Sequence, residues 1–327
     1  MVLNYKHINN VNRKRLMADL IDIQDRKLKQ IIGGVVVVVL VITGVILLAR
    51  PHNQSTVTNG TLTVVAAENF WGNIASQIGG NHVHVTSIIT DPNADPHLYE
   101  SNAQDASDVA SAKVVIVNGV GYDDFMSKLL SASKNSNRQV ISAAQILGIT
   151  SDGANPHLWY DIPRVNLVAS QIADGFEAKD PSHKSDYQHN LTTFDQSLQP
   201  LLQTINQIKQ QYGGTPVAYT EPVPGYLLNA AGLTVKTPEG FAKSIEDGDD
   251  PSPADTLGMD NLMTKKQVKV LLYNAQTTSP VTQHARDLAN QAGIPVIGVT
   301  ETLPANEHSY QSWQRDQLDE LLKALQS

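Results

Sequence analysis

Along most of the chain, short apolar runs rich in Val and Ile alternate with stretches whose apolar residues recur every three or four positions. "TLTVVAA" (61–67), "VHVTSII" (83–89), "KVVIVNG" (113–119) and "RQVISA" (138–143) read as strands, because β-branched runs suit a sheet covered on both faces. "NFWGNIASQIGG" and "NAQDASDVASA" between them carry helical spacing. Strand alternating with helix indicates a parallel α/β layer. After residue 214 the pattern restarts. "TPVAYT" (215–220), "LTVKT" (233–237), "VKVLLYN" (268–274) and "IPVIGVT" (294–300) form a second set of strands, with "PVTQHARDLANQAG" among its helices.

Between the two sets, Tyr187, Leu191, Phe194, Leu198, Leu201, Ile205 and Ile208 fall at steps of three and four. That spacing predicts a long helix, which Pro200 should kink or restart. The expected organisation is therefore two Rossmann-like α/β lobes, at 61–180 and 213–327, joined by a linking helix at 181–212. A helix in that place is a stiff spine, so lobe motions should be small and exchange of anything held between the lobes slow.

One run has no polar face. "IIGGVVVVVLVITGVILLA" (31–49) is uncharged and spans about 28 Å as a helix, against roughly 30 Å of bilayer hydrocarbon. Lys6, Arg13, Lys14, Arg15, Arg26, Lys27 and Lys29 precede it and only Arg50 follows closely, which puts residues 1–30 in the cytoplasm and the rest outside. The length of the run and the lack of an A-x-A site favour an uncleaved single-pass transmembrane anchor over a cleaved signal peptide. Residues 50–60, mostly polar, serve as a tether.

Charge sharpens this division. Residues 1–50 hold eight Lys and Arg against three acids, so of the formal −8 the remainder carries −13. An acidic body argues against nucleic-acid binding and suits a module that meets cations. The sequence contains no cysteine, which excludes disulfides, Cys-based zinc sites and a lipid-modified Cys within it.

Histidine is sparse, yet one context is written twice: "DPHLY" at 95–99 and "NPHLW" at 155–159. Proline restricts the residue before it to extended geometry, so His97 and His157 are presented rigidly from two loops. Asp161-Ile-Pro163 after the second resembles a helix N-cap with proline just inside. Two imidazoles suit a divalent transition metal, whose shell is commonly completed by carboxylates. The second lobe offers Glu221 directly after "TPVAYT" and Glu301 directly after "IPVIGVT", at the strand ends where α/β folds bind ligands. Two candidate ligands per lobe make a cleft site. The other candidates have simpler readings. His82 and His84 should find exposed pairing partners, His308 is at most an accessory ligand, Trp71 and Trp159 are packing residues, and Glu246, Asp247, Asp249 and Asp250 read as a solvated loop.

From Thr61 to Leu325 the chain resembles the cluster A-I metal-binding receptors of ABC transporters, of the ZnuA/PsaA/TroA type. "AAENFWGNIASQIGG", "DPHLYE", "VVIVNGVGYDDF", "NPHLWYD", "DPSHKSDYQHNL" and "DPSPAD" carry the resemblance. It implies a monomeric, non-enzymatic solute-binding protein. One divalent metal ion, Mn2+ or Zn2+, would be held between the lobes by His97, His157, Glu221 and Glu301 and delivered to an ABC permease. The fourth position is commonly Asp in the family, so Glu301 departs by one methylene; the missing lipobox Cys departs too, and the 31–49 helix would take over anchoring at the cell membrane. Oxygen ligands shift preference toward Mn2+, while the general affinity order favours Zn2+. The alternative is a surface metal-dependent hydrolase with Glu301 as general base, although neither H-E-x-x-H nor G-x-S-x-G occurs. An adhesin role, attached to some relatives, has no recognisable module here.

Overall fold

The computed structural model describes residues 60–91, 99–151 and 153–327. The expected membrane helix at 31–49 and the candidate ligand His97 lie outside these residues. Among those described, no helix is long and apolar enough to cross a membrane.

The first lobe runs β1 (Leu62–Glu68), α1 (Asn69–Gly79), β2 (Val83–Ile89), α2 (Ala103–Ser111), β3 (Val114–Val117), α3 (Asp124–Ala132), β4 (Gln139–Ser142), α4 (Ala143–Leu147) and α5 (Val165–Lys179). Its strands are parallel, in the order β2-β1-β3-β4. After α6 (Lys184–Tyr212), the second lobe runs β5 (Pro216–Tyr219), α7 (Gly225–Ala230), β6 (Thr234–Val235), α8 (Glu239–Glu246), α9 (Pro253–Thr264), β7 (Leu271–Asn274), α10 (Pro280–Ala292), β8 (Val296–Val299) and α11 (Tyr310–Gln326). The order β6-β5-β7-β8 repeats that of the first sheet, again all parallel. Each run expected as a strand forms one. The edge strand β6 shrinks to two residues, paired only through Pro216 with Thr234 and Val217 with Val235.

This topology fixes where a ligand can sit. In each sheet the order reverses beside the first strand, between β1 and β3 and between β5 and β7, and open parallel sheets bind ligands at the carboxyl ends of strands there. Glu68 and Asn118 stand at that edge of the first sheet; Glu221 and Asn274 stand at that edge of the second.

Long-range packing binds the two sheets. One apolar core takes Val64, Phe70, Trp71 and Trp159 from the first lobe, Tyr187 and Leu198 from the spine, and Val217, Tyr310 and Trp313 from the second. Phe70 stacks on Trp159 at 4.0 Å between centroids, and both tryptophans of the first lobe are fully buried, so they pack as expected. Helix α6 touches α1 and α5 on one side and α7 and α11 on the other. It is a single 29-residue helix, roughly 44 Å long at 1.5 Å per residue, and Pro200 does not begin a new segment. Tyr187, Phe194, Leu198, Leu201, Ile205 and Ile208 bury one continuous stripe across the proline, whereas Pro200 and Gln196, whose carbonyl loses its helical donor, are exposed to water. Direct bonds add to this: Asn69 Nδ2 donates to the Leu303 carbonyl at 2.8 Å and Asn69 Oδ1 accepts from Leu303 N at 2.9 Å. Tyr310 Oη donates to the Trp159 carbonyl at 2.6 Å.

Two local expectations change. The segment after "NPH" forms a short 3-10 turn over Leu158–Tyr160, and α5 starts only at Val165, with Arg164 at its N-cap. Asp161 does not cap it; its carboxylate accepts from Arg164 Nε at 2.6 Å while its carbonyl accepts Arg164 N, closing a turn around Pro163. Glu246 is not part of a solvated loop: it is the last residue of α8 and its side chain is only 8% exposed, whereas Asp247, Asp249 and Asp250 are exposed as expected. His82 does pair at the surface, its Nε2 lying 2.9 Å from Asp186 Oδ2 with the ring stacked on His183.

Candidate metal centre

His157 is built into the floor of the interlobe cleft by its neighbours in the chain. Asn155 folds back as an Asx turn, its Oδ1 accepting from His157 N at 3.0 Å and lying 2.7 Å from His157 Nδ1. An oxygen that already accepts from a backbone N–H identifies Nδ1 as the protonated ring nitrogen. Nε2 then keeps its lone pair, the form in which imidazole binds a metal. Asn155 also crosses the cleft: its Nδ2 donates to the Pro222 carbonyl at 2.7 Å, and its carbonyl accepts from Tyr226 Oη at 2.8 Å. From behind, Asn118 Nδ2 donates to the Pro156 carbonyl at 2.8 Å while Asn118 Oδ1 accepts from Trp71 Nε1 at 3.2 Å. The amide in "NPHLW" thus sets the tautomer and ties the loop to both lobes.

The two carboxylates arrive from the second sheet. Glu221 is 4% exposed, with Oε2 accepting from Asn274 Nδ2 at 2.9 Å. Glu301, also 4% exposed, accepts from the same Asn274 Nδ2 at 2.5 Å and from Tyr122 Oη at 3.0 Å, and its backbone N–H donates to Gln276 Oε1 at 2.6 Å. Asn274 therefore clips two carboxylates of different strands together, and Tyr122 reaches one of them from the first lobe. Glu301 Oε2 stands 3.7 Å from His157 Nε2, outside hydrogen-bond distance. Among the described residues, His157 Nε2 and Glu221 Oε1 are buried with no hydrogen-bond partner. Each such group costs roughly 1–3 kcal/mol, which a cation bound between them would offset.

The electrostatics are those of crowded acids around one imidazole. Burial pushes the Glu221 carboxyl up to about 8, helped by Glu301 and Glu246 and opposed by Asn274 and His157. Burial alone would lower His157, but Glu246, then Glu301 and Glu221, outweigh it and the net shift is upward. Burial, followed by Asp123, holds Glu68, at the end of β1, well above the ordinary carboxylate range. Burial and Glu301 raise Tyr122 well above its usual value, keeping its hydroxyl a donor.

Of the four residues expected as ligands, His157, Glu221 and Glu301 come together from both lobes, and His97 lies outside the described residues. Among the described residues no three His, Asp or Glu side chains are arranged as a metal-holding set; Asn274 Nδ2 bonds one oxygen of each of the two glutamates. His308 is exposed. Sequence reasoning passed over Asn155, Asn118, Tyr122 and Asn274, and took Glu246 for part of a solvated loop. Only Asn155 carried a local signal, through its position two residues before the histidine.

The profile of the ZnuA family, described as zinc-uptake complex component A, periplasmic, matches residues 64–324. The chain is 26% identical over 227 residues to the manganese-binding lipoprotein MntA of Bacillus subtilis, covering 66% of this chain and 72% of that one. It is 21% identical over 312 residues to the manganese ABC transporter substrate-binding lipoprotein scaA of Streptococcus gordonii, covering 89% and 97%. Among solved structures, the periplasmic zinc-binding protein TroA of Treponema pallidum superposes with a TM-score of 0.69 at 17% identity, covering 81% of this chain and 99% of that one. At that identity the likeness concerns the fold.

Proposed function

We propose, since the chain belongs to the ZnuA family of periplasmic zinc-uptake components, that it is an extracytoplasmic solute-binding protein that takes a divalent transition metal, Mn2+ or Zn2+, as cargo for an ABC permease. The observation that carries this reading is the pair of buried metal-donor atoms, His157 Nε2 and Glu221 Oε1, unpartnered among the described residues and offered from opposite lobes. With His97 and Glu301 the shell has two neutral imidazoles and two carboxylates, which match the charge of one dication. The relatives' names support the same class: MntA is named manganese-binding and scaA a substrate-binding lipoprotein of a manganese ABC transporter.

Both relatives are named lipoproteins, whereas this sequence has no cysteine to lipidate. In our reading the apolar run at 31–49 anchors the protein instead, holding the binding lobes outside the membrane. The continuous spine and the bonds of Asn69, Asn155 and Tyr310 between lobes favour small motions on loading. Release to the permease then depends on that partner prising the lobes apart. The protein binds and carries, and no observation favours the hydrolase alternative.

The test is elemental analysis of the full-length chain, stripped with chelator, equilibrated with a defined mixture of Mn2+, Zn2+, Fe2+, Mg2+ and Ca2+, and desalted. The reading predicts about one equivalent of Mn2+ or Zn2+ per chain, as a four-donor His and carboxylate shell selects transition metals. Retention of none of these metals, or of Mg2+ or Ca2+ alone, would overturn it.

A further inference from the structure

The amide of Asn155 has one end on a proposed ligand and the other on the opposite lobe. Its Oδ1 accepts from His157 N at 3.0 Å and stands 2.7 Å from His157 Nδ1, while its Nδ2 donates to the Pro222 carbonyl at 2.7 Å. A backbone N–H only donates and a carbonyl only accepts, so the two ends of the amide cannot be exchanged. Glu246 Oε1, also on this side of the ring, is 3.9 Å from Nδ1 and outside hydrogen-bond distance. Nδ1 therefore relies on Asn155 for its acceptor.

The second lobe is shaped to receive this amide. Pro222 follows Glu221 directly, and its carbonyl also accepts from Gly225 N at 2.9 Å where α7 begins. Gly225 leaves the space in which the amide lies: a Cβ there would stand 2.7 Å from Asn155 Nδ2, closer than the two atoms can approach. Gly225 lies within α7 without a positive φ, and alanine is the better helix former. The amide, not the backbone, is what calls for glycine there. Asn155 and Pro222 also border an interlobe cavity of about 590 Å³, into which the amide can swing without disturbing the core.

Resting on the function proposed above, we infer that Asn155 is a positioning residue that relays lobe opening to the metal and so triggers its release. While the lobes are together, the Pro222 carbonyl and the Gly225 socket hold Oδ1 on the Nδ1 proton, which keeps the lone pair on Nε2 and strengthens it as a ligand. When the lobes part, the Pro222 carbonyl withdraws and the amide is free to turn. The ring then loses its acceptor and Nε2 becomes a weaker ligand. Once the ion leaves, transfer of the ring proton from Nδ1 to Nε2 through water gives a tautomer that blocks its return. Opening the cleft thus lowers affinity as well as giving access.

The experiment compares the full-length parent with G225A, which acts from the second lobe, and N155A, which removes the amide. Mn2+ and Zn2+ affinity is measured by competition with a metal indicator, and apo melting temperature checks the fold. The His157 ring nitrogens are read by nitrogen NMR of the metal-free protein in alkaline buffer, their signals assigned by their absence in H157A. In the parent Nδ1 should carry the proton. In both variants the ring should become a mixture of tautomers and the affinity for each metal should fall about tenfold or more, as for loss of an outer hydrogen-bond partner. The G225A melting temperature should stay near the parent's, because the clash falls on the end of a flexible side chain. In G225A a parent-like ring signature, or a parent-like affinity, overturns the relay while the capture function stands. N155A adds no atom, so if G225A unfolds α7 the same two outcomes in N155A decide the question. A parent that binds neither metal overturns the capture function itself and the relay with it.

Discussion

Replacing His157 with alanine lowers the affinity for Mn2+ and for Zn2+ by at least about 100-fold, roughly 2.7 kcal/mol at 1.4 kcal/mol per tenfold, while the apo protein still folds. The loss is large because His157 is the one described donor whose geometry is fixed from both sides. Asn155 sets its tautomer and bonds to the second lobe, and Asn118 holds the preceding carbonyl. No other described imidazole stands in the cleft to substitute. The fold survives because the loop's anchors are Asn155, Asn118 and the buried Trp159, none of which depends on the imidazole. Titration calorimetry with a melting curve of each apo protein checks it. Metal binding as tight as the parent's would remove His157 from the ligand set.

The metal-free protein should lose stability as pH rises from about 5 to about 8.5, and bound metal should reverse that trend. Glu221 titrates near 8 in the folded chain against its ordinary 4.5, so between those values the folded state holds a proton that the unfolded state has released. Stability then falls as pH rises through the window. His157 acts in the same sense: its raised folded pKa contributes stability present below its ordinary 6.5 and lost as pH climbs through the folded value. Metal requires both groups deprotonated, so binding releases protons and strengthens over the same interval. Scanning calorimetry in chelator at pH 5, 7 and 8.5 should show the apo melting temperature dropping by about 5 °C or more, at roughly 2–4 °C per kcal/mol for a domain of this size. The shift on adding Mn2+ or Zn2+ should grow with pH. In E221Q the apo slope should flatten, which separates this site from titrations elsewhere. An apo melting temperature that rises with pH across the window would contradict the account.

How much of this was legible in the chain depends on the range of the forces involved. The strands were, since Val64, Val115, Ile116 and Leu272 sit in covered parallel sheets whose apolar runs need no distant partner to be recognised. His157 was legible through the repeated Pro-His-Leu-aromatic context, and Glu221 and Glu301 through their position directly after strands. What escaped depends on contacts between distant segments. Tyr122 meets Glu301 across 179 residues and Asn274 meets Glu221 across 53, and neither spacing leaves a local trace. Glu246 was misread because its neighbours Asp247, Gly248, Asp249 and Asp250 are those of a solvated loop, whereas the packing of Phe241 and Ile245 turns the end of α8 inward. At Pro200 the helix runs on without a new segment, because the buried stripe on both sides outweighs the loss of one exposed helical hydrogen bond.

The central claim is that one metal ion sits between the lobes on His157, Glu221, Glu301 and His97. Anomalous diffraction at the Mn or Zn edge from crystals of the metal-loaded protein tests it most directly. The account predicts a single strong peak between the lobes, about 2.0–2.2 Å from His157 Nε2 and from oxygens of Glu221 and Glu301, with Asn274 no longer clipping both carboxylates together. A peak elsewhere on the surface, or one that touches His157 without either glutamate, would contradict it.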